Sequence, residues 1–255
     1  MAPVSTNLST SLSTATFGNA ERQTRYDLAA CYRLAARYGM TDTIYTHITA
    51  KIPGTEDILI NRFGDQFHEV TASSLIRFNI YEEPSARDVN PAGAVIHTAI
   101  HAARHDIGCV MHTHTIAGVA VACQAQGLLP ISQHALQFYN RIGYHDYEGI
   151  ALIDDEKPRL VRDLGTHGAL VLRNHGLLTA YATVAETFSA MFNLERACQI
   201  QLAAMAGGAA LYPVREPIRE LTATQSDGFG GQETGLPEWI AHIRDLERTD
   251  PSFAD

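Results

Sequence analysis

The chain has 255 residues, 45% of them hydrophobic, enough to bury a real core, and no break in composition divides it. Its 28 acidic residues outnumber 19 basic ones, for a formal net charge of −9, with no run of Lys or Arg. That balance excludes a nucleic-acid footprint and a polybasic membrane patch, and leaves small molecules as the expected partners.

Residues 1–18 are rich in Ser, Thr and Ala and nearly uncharged, so they read as a flexible tail ahead of a single domain over 19–255. No apolar run approaches the roughly 18 residues a membrane span needs. The first basic residue is Arg22, so no signal peptide is expected. Cys31, Cys109, Cys123 and Cys198 form no C-x-x-C pair and sit in apolar stretches, which reads as buried free thiols in a cytoplasmic protein.

A first helix is predicted from Asn19, as N-cap, to Tyr38, stopped by Gly39. Extended segments follow over 46–51 and 57–61, then a helix over 94–104 and a buried strand over 107–111 that ends at His112-Thr-His114. Thr115 can cap a small-residue helix ending before Gly127, and an irregular stretch follows. Pro158 begins a short helix closed by Gly165, and 169–173 is a second buried strand leading into Asn174-His175-Gly176. Thr183 and Glu186 suggest a capping box for a long helix to about Ala206. From about Gly207 the chain reads as an extension that wraps a neighbour or frays, with a short amphipathic piece over 238–246. Alternating helices and strands of this kind build a sheet covered on both faces, an α/β fold.

In an extended segment residues two apart share a side, so His112 and His114 aim together while Thr113 faces away. His175, near a second strand end, is the natural third member of a three-histidine face with positions left open. The competing reading is ordinary hydrogen-bonded histidines. A rival stripe, His97, His101 and His105, recurs every four residues on one helix face and reads as a polar face with one or two hydrogen-bonded core histidines.

These segments resemble the class II aldolase/adducin family, in its adducin-like branch. The resemblance rests on Gly39-Met-Thr-Asp-Thr-Ile-Tyr-Thr-His-Ile-Thr-Ala50, Glu69-Val-Thr-Ala-Ser-Ser-Leu75, Asn90-Pro-Ala-Gly93, Cys109-Val-Met-His-Thr-His114, Tyr144-His-Asp-Tyr-Glu-Gly149 and Leu172-Arg-Asn-His-Gly-Leu177. It implies a three-layer α/β/α sandwich with a mixed, mostly antiparallel sheet, and a homotetramer with active sites at subunit boundaries. It also implies a divalent ion, zinc first and Fe(II) or Mn as alternatives, on His112, His114 and His175. In the family's aldolases the ion is a Lewis acid on the hydroxyl and carbonyl oxygens of the substrate.

Departures from the aldolase pattern narrow the chemistry. The family's Pro-Ser-Ser-Glu segment is replaced by Pro91-Ala-Gly-Ala94, and its Gly-Asn-x-Ser phosphate loop by Thr46-His47-Ile48-Thr49. A phosphorylated sugar is therefore not the expected substrate. With the Glu gone, proton transfer falls to His47, Tyr139, Tyr144 or His145. The expected activity is a metal-dependent lyase, by retro-aldol cleavage or decarboxylation, on a small non-phosphorylated hydroxy- or oxo-acid. Three histidines with open positions also suit a non-haem Fe(II) oxygenase acting on an aromatic hydroxy- or keto-acid. The third reading is a non-catalytic adducin-like interaction domain; it ranks last because the sequence, ending at Asp255, shows no Lys-rich adducin-type tail.

Overall fold

A computed structural model describes residues 17–152, 154–228 and 233–255. Residues 1–16 of the tail predicted over 1–18 lie outside them. Helix α1 spans Asn19–Arg37 and ends where Gly39 takes a positive φ of 70°. Its N-cap is Gly18, so Asn19 is the first helical residue and not the cap expected of it.

Strands β1 (His47–Lys51), β2 (Asp57–Ile60) and β3 (Ile76–Asn79) precede helix α2 (Pro91–Ala103). Asn90 caps α2 by accepting the Ala92 N–H at 3.1 Å, and Pro91 occupies the first turn, where its missing N–H costs nothing. Strand β4 (Cys109–Thr113) leads into α3 (Ile116–Ala122), capped by Thr115. After the short α4 (Gln133–Leu136) come β5 (Ile142–His145), α5 (Lys157–Leu164), β6 (Ala169–Leu172) and β7 (Gly176–Tyr181). Thr183 then caps α6 (Val184–Met205) by accepting the Glu186 N–H at 3.1 Å.

The sheet has seven strands in the order β3-β2-β1-β4-β7-β6-β5. Neighbours are antiparallel except β5 and β6, which are parallel and joined through α5, as a parallel pair requires. Side-chain alternation splits the strands between two cores. Cys109 and Met111 of β4 join Leu28 and Leu34 of α1 and Met191 and Leu194 of α6 on one face. Val110 of β4 joins Ile96 and Ile100 of α2 and Leu160 and Leu164 of α5 on the other. The sheet is thus mixed and flanked by helices on both faces, as expected.

Two further sequence expectations are corrected. The C-terminal region docks on its own chain: helices α7 (Glu216–Ser226) and α8 (Leu236–Thr249) are followed by a buried Phe253 whose carbonyl accepts the Ala72 N–H at 2.9 Å. Cys123, expected to be buried, is exposed at the end of α3, whereas Cys31, Cys109 and Cys198 are buried. Among the described residues, no helix is long and apolar enough to cross a membrane.

Candidate metal centre

His112 lies within β4 and not past its end; its Cα partners are His47 on β1 and Leu178 on β7. Its Nδ1 stands 2.9 Å from the Leu177 carbonyl oxygen, which can only accept. Nδ1 therefore carries the proton and Nε2 is bare. His114 follows one residue beyond the strand, and its Nδ1 lies 3.0 Å from a carboxylate oxygen of Asp42, which fixes the same tautomer. His175 arrives from the β6–β7 turn, where Asn174 takes a left-handed φ of 57°. Gly176 completes that turn because a Cβ there would sit 2.4 Å from the Thr113 carbonyl oxygen.

The Nε2 atoms of His112 and His114 are 2.8 Å apart, and those of His114 and His175 are 3.0 Å apart. Two bare nitrogen lone pairs at such a separation repel unless a cation lies between them. A proton on His112 or His175 is a poor candidate for that cation. Burial, then the neighbouring His175, His114 and His47, hold His112 well below the usual imidazole pKa, and burial brings His175 down to about 4. A divalent ion fits better: imidazole nitrogens about 2.1 Å from a tetrahedral zinc lie roughly 3.4 Å from each other, a few tenths of an ångström beyond the spacing here. Among the described residues, these three are the group of histidine, cysteine or acidic side chains placed to hold a metal.

The structure sorts the four proton-transfer candidates. His47 is buried beside the cluster, its ring centroid 5.2 Å from that of His112. Burial, reinforced by His114 and His175, pulls its pKa to about 3, so it is neutral. The other three have their polar atoms committed elsewhere. Tyr139 donates to the Glu216 carboxylate on α7. The Tyr144 hydroxyl accepts the Leu128 N–H at 3.1 Å, and Arg173 covers its ring. His145 is buried with Nδ1 2.8 Å from Asp163 and Nε2 3.2 Å from Glu156. Its carbonyl accepts the Arg173 N–H at 2.8 Å, which braces the turn that carries His175.

Sequence reasoning missed two neighbours. Asp42 sits 72 positions from its partner His114, in a loop where no periodicity could reveal the contact. Tyr147, half exposed, places its ring 6.3 Å from that of His175. The rival stripe dissolves as expected: His97 and His101 are buried and hydrogen-bonded to Thr49, and His105 is exposed.

Asp42→Asn retains the shape but removes the charge that steadies the His114 tautomer. Zinc affinity is expected to fall about 10- to 100-fold, measured by competition with a coloured chelator. An unchanged affinity would remove Asp42 from the site.

With this geometry in view, comparison with known proteins is informative. Residues 26–202 match the Class II Aldolase and Adducin N-terminal domain family, and the chain belongs to that family. A Pseudomonas aeruginosa protein named as a candidate class 2 aldolase is 50% identical over 92% of this chain and 93% of its own. A crystal structure of an aldolase II superfamily protein from Pseudomonas syringae superposes with a TM-score of 0.87 at 45% identity, covering 94% of this chain and 98% of that one. Alpha-adducin of Rattus norvegicus is 39% identical over 91% of this chain but only 33% of its own length. The family's class II aldolases are metal-dependent lyases.

Proposed function

We propose that this chain is a divalent-metal-dependent lyase that cleaves a carbon–carbon bond in a small non-phosphorylated hydroxy- or oxo-acid, by retro-aldol cleavage or decarboxylation. His112, His114 and His175 would hold the ion, zinc in the first place. The observation that carries the reading is the convergence of the three Nε2 atoms, with Leu177 and Asp42 fixing two tautomers so that the bare nitrogens face one another. When bound, the ion would polarise the substrate's oxygens and stabilise the negative charge that develops as the bond breaks.

The chain's own residues argue against a phosphorylated substrate. The first turn of α2 is lined by Ala92, Gly93 and Ala94, which offer no hydroxyl, and the His47 ring is packed onto it. A Cβ on Gly93 would meet that ring at 2.8 Å. A buried neutral imidazole supplies no counter-charge to a phosphate. With Tyr139, Tyr144 and His145 engaged elsewhere, His47 is the sequence candidate left beside the cluster.

The experiment is a panel of non-phosphorylated hydroxy- and oxo-acids incubated with zinc-loaded protein, following release of a carbonyl product or carbon dioxide. Turnover on at least one, abolished by a chelator and restored by the metal, is expected. Turnover indifferent to chelation, or confined to sugar phosphates, would defeat the reading. Absence of both metal and turnover would make the alpha-adducin likeness the better guide, and with it an interaction domain.

A further inference from the structure

His114 directly follows β4, but His175 belongs to the turn over 173–175 and has no strand to hold it. Asn174, just before it, is exposed and takes a φ of 57°. A left-handed residue with a side chain persists only where its surroundings hold it. Most of the holding contacts come from Arg173. Its backbone N–H donates to the His145 carbonyl at 2.8 Å. Its Nη1 donates to the carbonyls of Gln124 at 2.8 Å and Ala125 at 3.4 Å, just past the end of α3. Its guanidinium lies 4.4 Å over the Tyr144 ring. Beside these contacts Asn174 donates its own N–H, at 3.2 Å, to the Ala122 carbonyl at the C-terminal end of α3, where helix carbonyls lack partners.

The acceptors are themselves fixed. Gln201 of α6, fully buried, donates to the Gln124 side chain at 2.6 Å and to the Gly127 carbonyl at 2.9 Å, and accepts the Leu129 N–H at 2.7 Å. Gly118 of α3 lies so close to β7 that a Cβ there would meet Leu177 at 2.6 Å. The other end of α3 is capped by Thr115, the residue after His114. A closed circuit results. It runs from His114 through Thr115 and α3 to Arg173, Asn174 and His175, and returns to His114 across the 3.0 Å between the Nε2 atoms. Cutting it at Arg173 frees the turn and lets that gap widen.

We propose that Arg173 is a positioning residue that fixes His175 at ligand distance from His114, with α3 as the strut between them. The inference rests on the metal-site reading for what the two imidazoles hold. A guanidinium suits this place better than an ammonium, because its plane stacks on Tyr144 while an edge N–H reaches the carbonyls.

The test compares wild type with Arg173→Met, which keeps an apolar stem but has no donor. With cobalt in place of zinc, the visible spectrum reports the ligand set. Arg173→Met should shift from the wild-type spectrum towards that of His175→Ala, and its zinc affinity should fall about tenfold, as when other supports outside the ligand set are removed. In metal-free protein, hydrogen exchange should quicken at the Asn174 and His175 amides, which donate to the Ala122 and Leu172 carbonyls, while β4 and β7 keep their protection. A folded Arg173→Met with a lowered thermal midpoint but the wild-type cobalt spectrum and zinc affinity would reduce Arg173 to a structural role and overturn the proposal. Unchanged exchange in the turn would overturn it too. Should Arg173→Met not fold, Arg173→Gln, whose shorter side chain falls short of the Gln124 carbonyl, carries the same expectations. A wild-type protein that takes up neither cobalt nor zinc would defeat the metal reading, and the exchange comparison would still decide whether Arg173 holds the turn.

Discussion

His114→Ala is expected to bind zinc roughly a thousandfold more weakly than the wild type and to lose chelator-sensitive turnover. Four-ligand zinc sites bind with about 10–16 kcal/mol, or about 2.5–4 kcal/mol per ligand, and the upper end of that range is about three decades of affinity. The fold should not suffer with it. His114 stands outside β4, is only partly buried, and its Nε2 faces the bare Nε2 of His112, a contact that contributes nothing favourable to the metal-free fold. Titration of zinc into both proteins against a competing chelator, beside their metal-free thermal midpoints, separates a lost ligand from a lost fold. Similar zinc affinities in the two proteins would remove His114 from the ligand set.

Gly176→Ala should be damaging for a different reason. The new methyl would lie 2.4 Å from the Thr113 carbonyl oxygen, and this is backbone, which cannot swing aside. Thr113 is paired with Leu177, so relief requires parting β4 from β7 in the middle of the sheet. Overpacking a core costs about 1–3 kcal/mol, and a clash against paired backbone belongs at the upper end. At about 2–4 °C per kcal/mol for a chain of this size, the midpoint should fall by roughly 6–12 °C. Zinc affinity should fall too, because the same methyl crowds the His114 and His112 rings at 3.1 and 3.2 Å. Gly207→Ala is the control, since nothing lies within 4 Å of the Cβ it would add. A Gly176→Ala midpoint matching this control would show that the strands yield more easily than their pairing implies.

The two glycines illustrate what could be read in advance. Helix starts were partly legible in local chemistry: Thr115 at α3 and Thr183 at α6 act as the caps expected of them, whereas α2, expected from Ala94, begins three residues earlier at Pro91 behind the Asn90 cap. The pairing of His112 with His114 followed from the period of two in an extended chain. Strand β7 was not anticipated, because Gly176-Leu-Leu-Thr-Ala-Tyr181 follows a tight turn and is too uniformly apolar to alternate. Strand β5 was lost in a stretch of Tyr, His and Asp whose side chains are satisfied only by distant partners such as Asp163 and Leu128. The same limit governed the site. Tyr139 and Tyr144 were drawn in by their place in the sequence, but hydrogen bonds from other elements take their hydroxyls. Asp42 and the Thr49–His97–His101 chain depend on contacts across the sheet, which no local pattern encodes. The amphipathic character of α8 was legible, and its docking beside α1 and α6 was not.

The central claim is that three histidines, set by β4 and the β6–β7 turn, form one metal centre. Its most direct test is titration of zinc into protein stripped of metal, followed by calorimetry. One ion per chain, bound with release of few protons from His112 and His175 near neutral pH because burial already keeps those two neutral, is the predicted result. Binding that is weak, of indefinite stoichiometry, and equally strong in the protein lacking His112, His114 and His175 would contradict it.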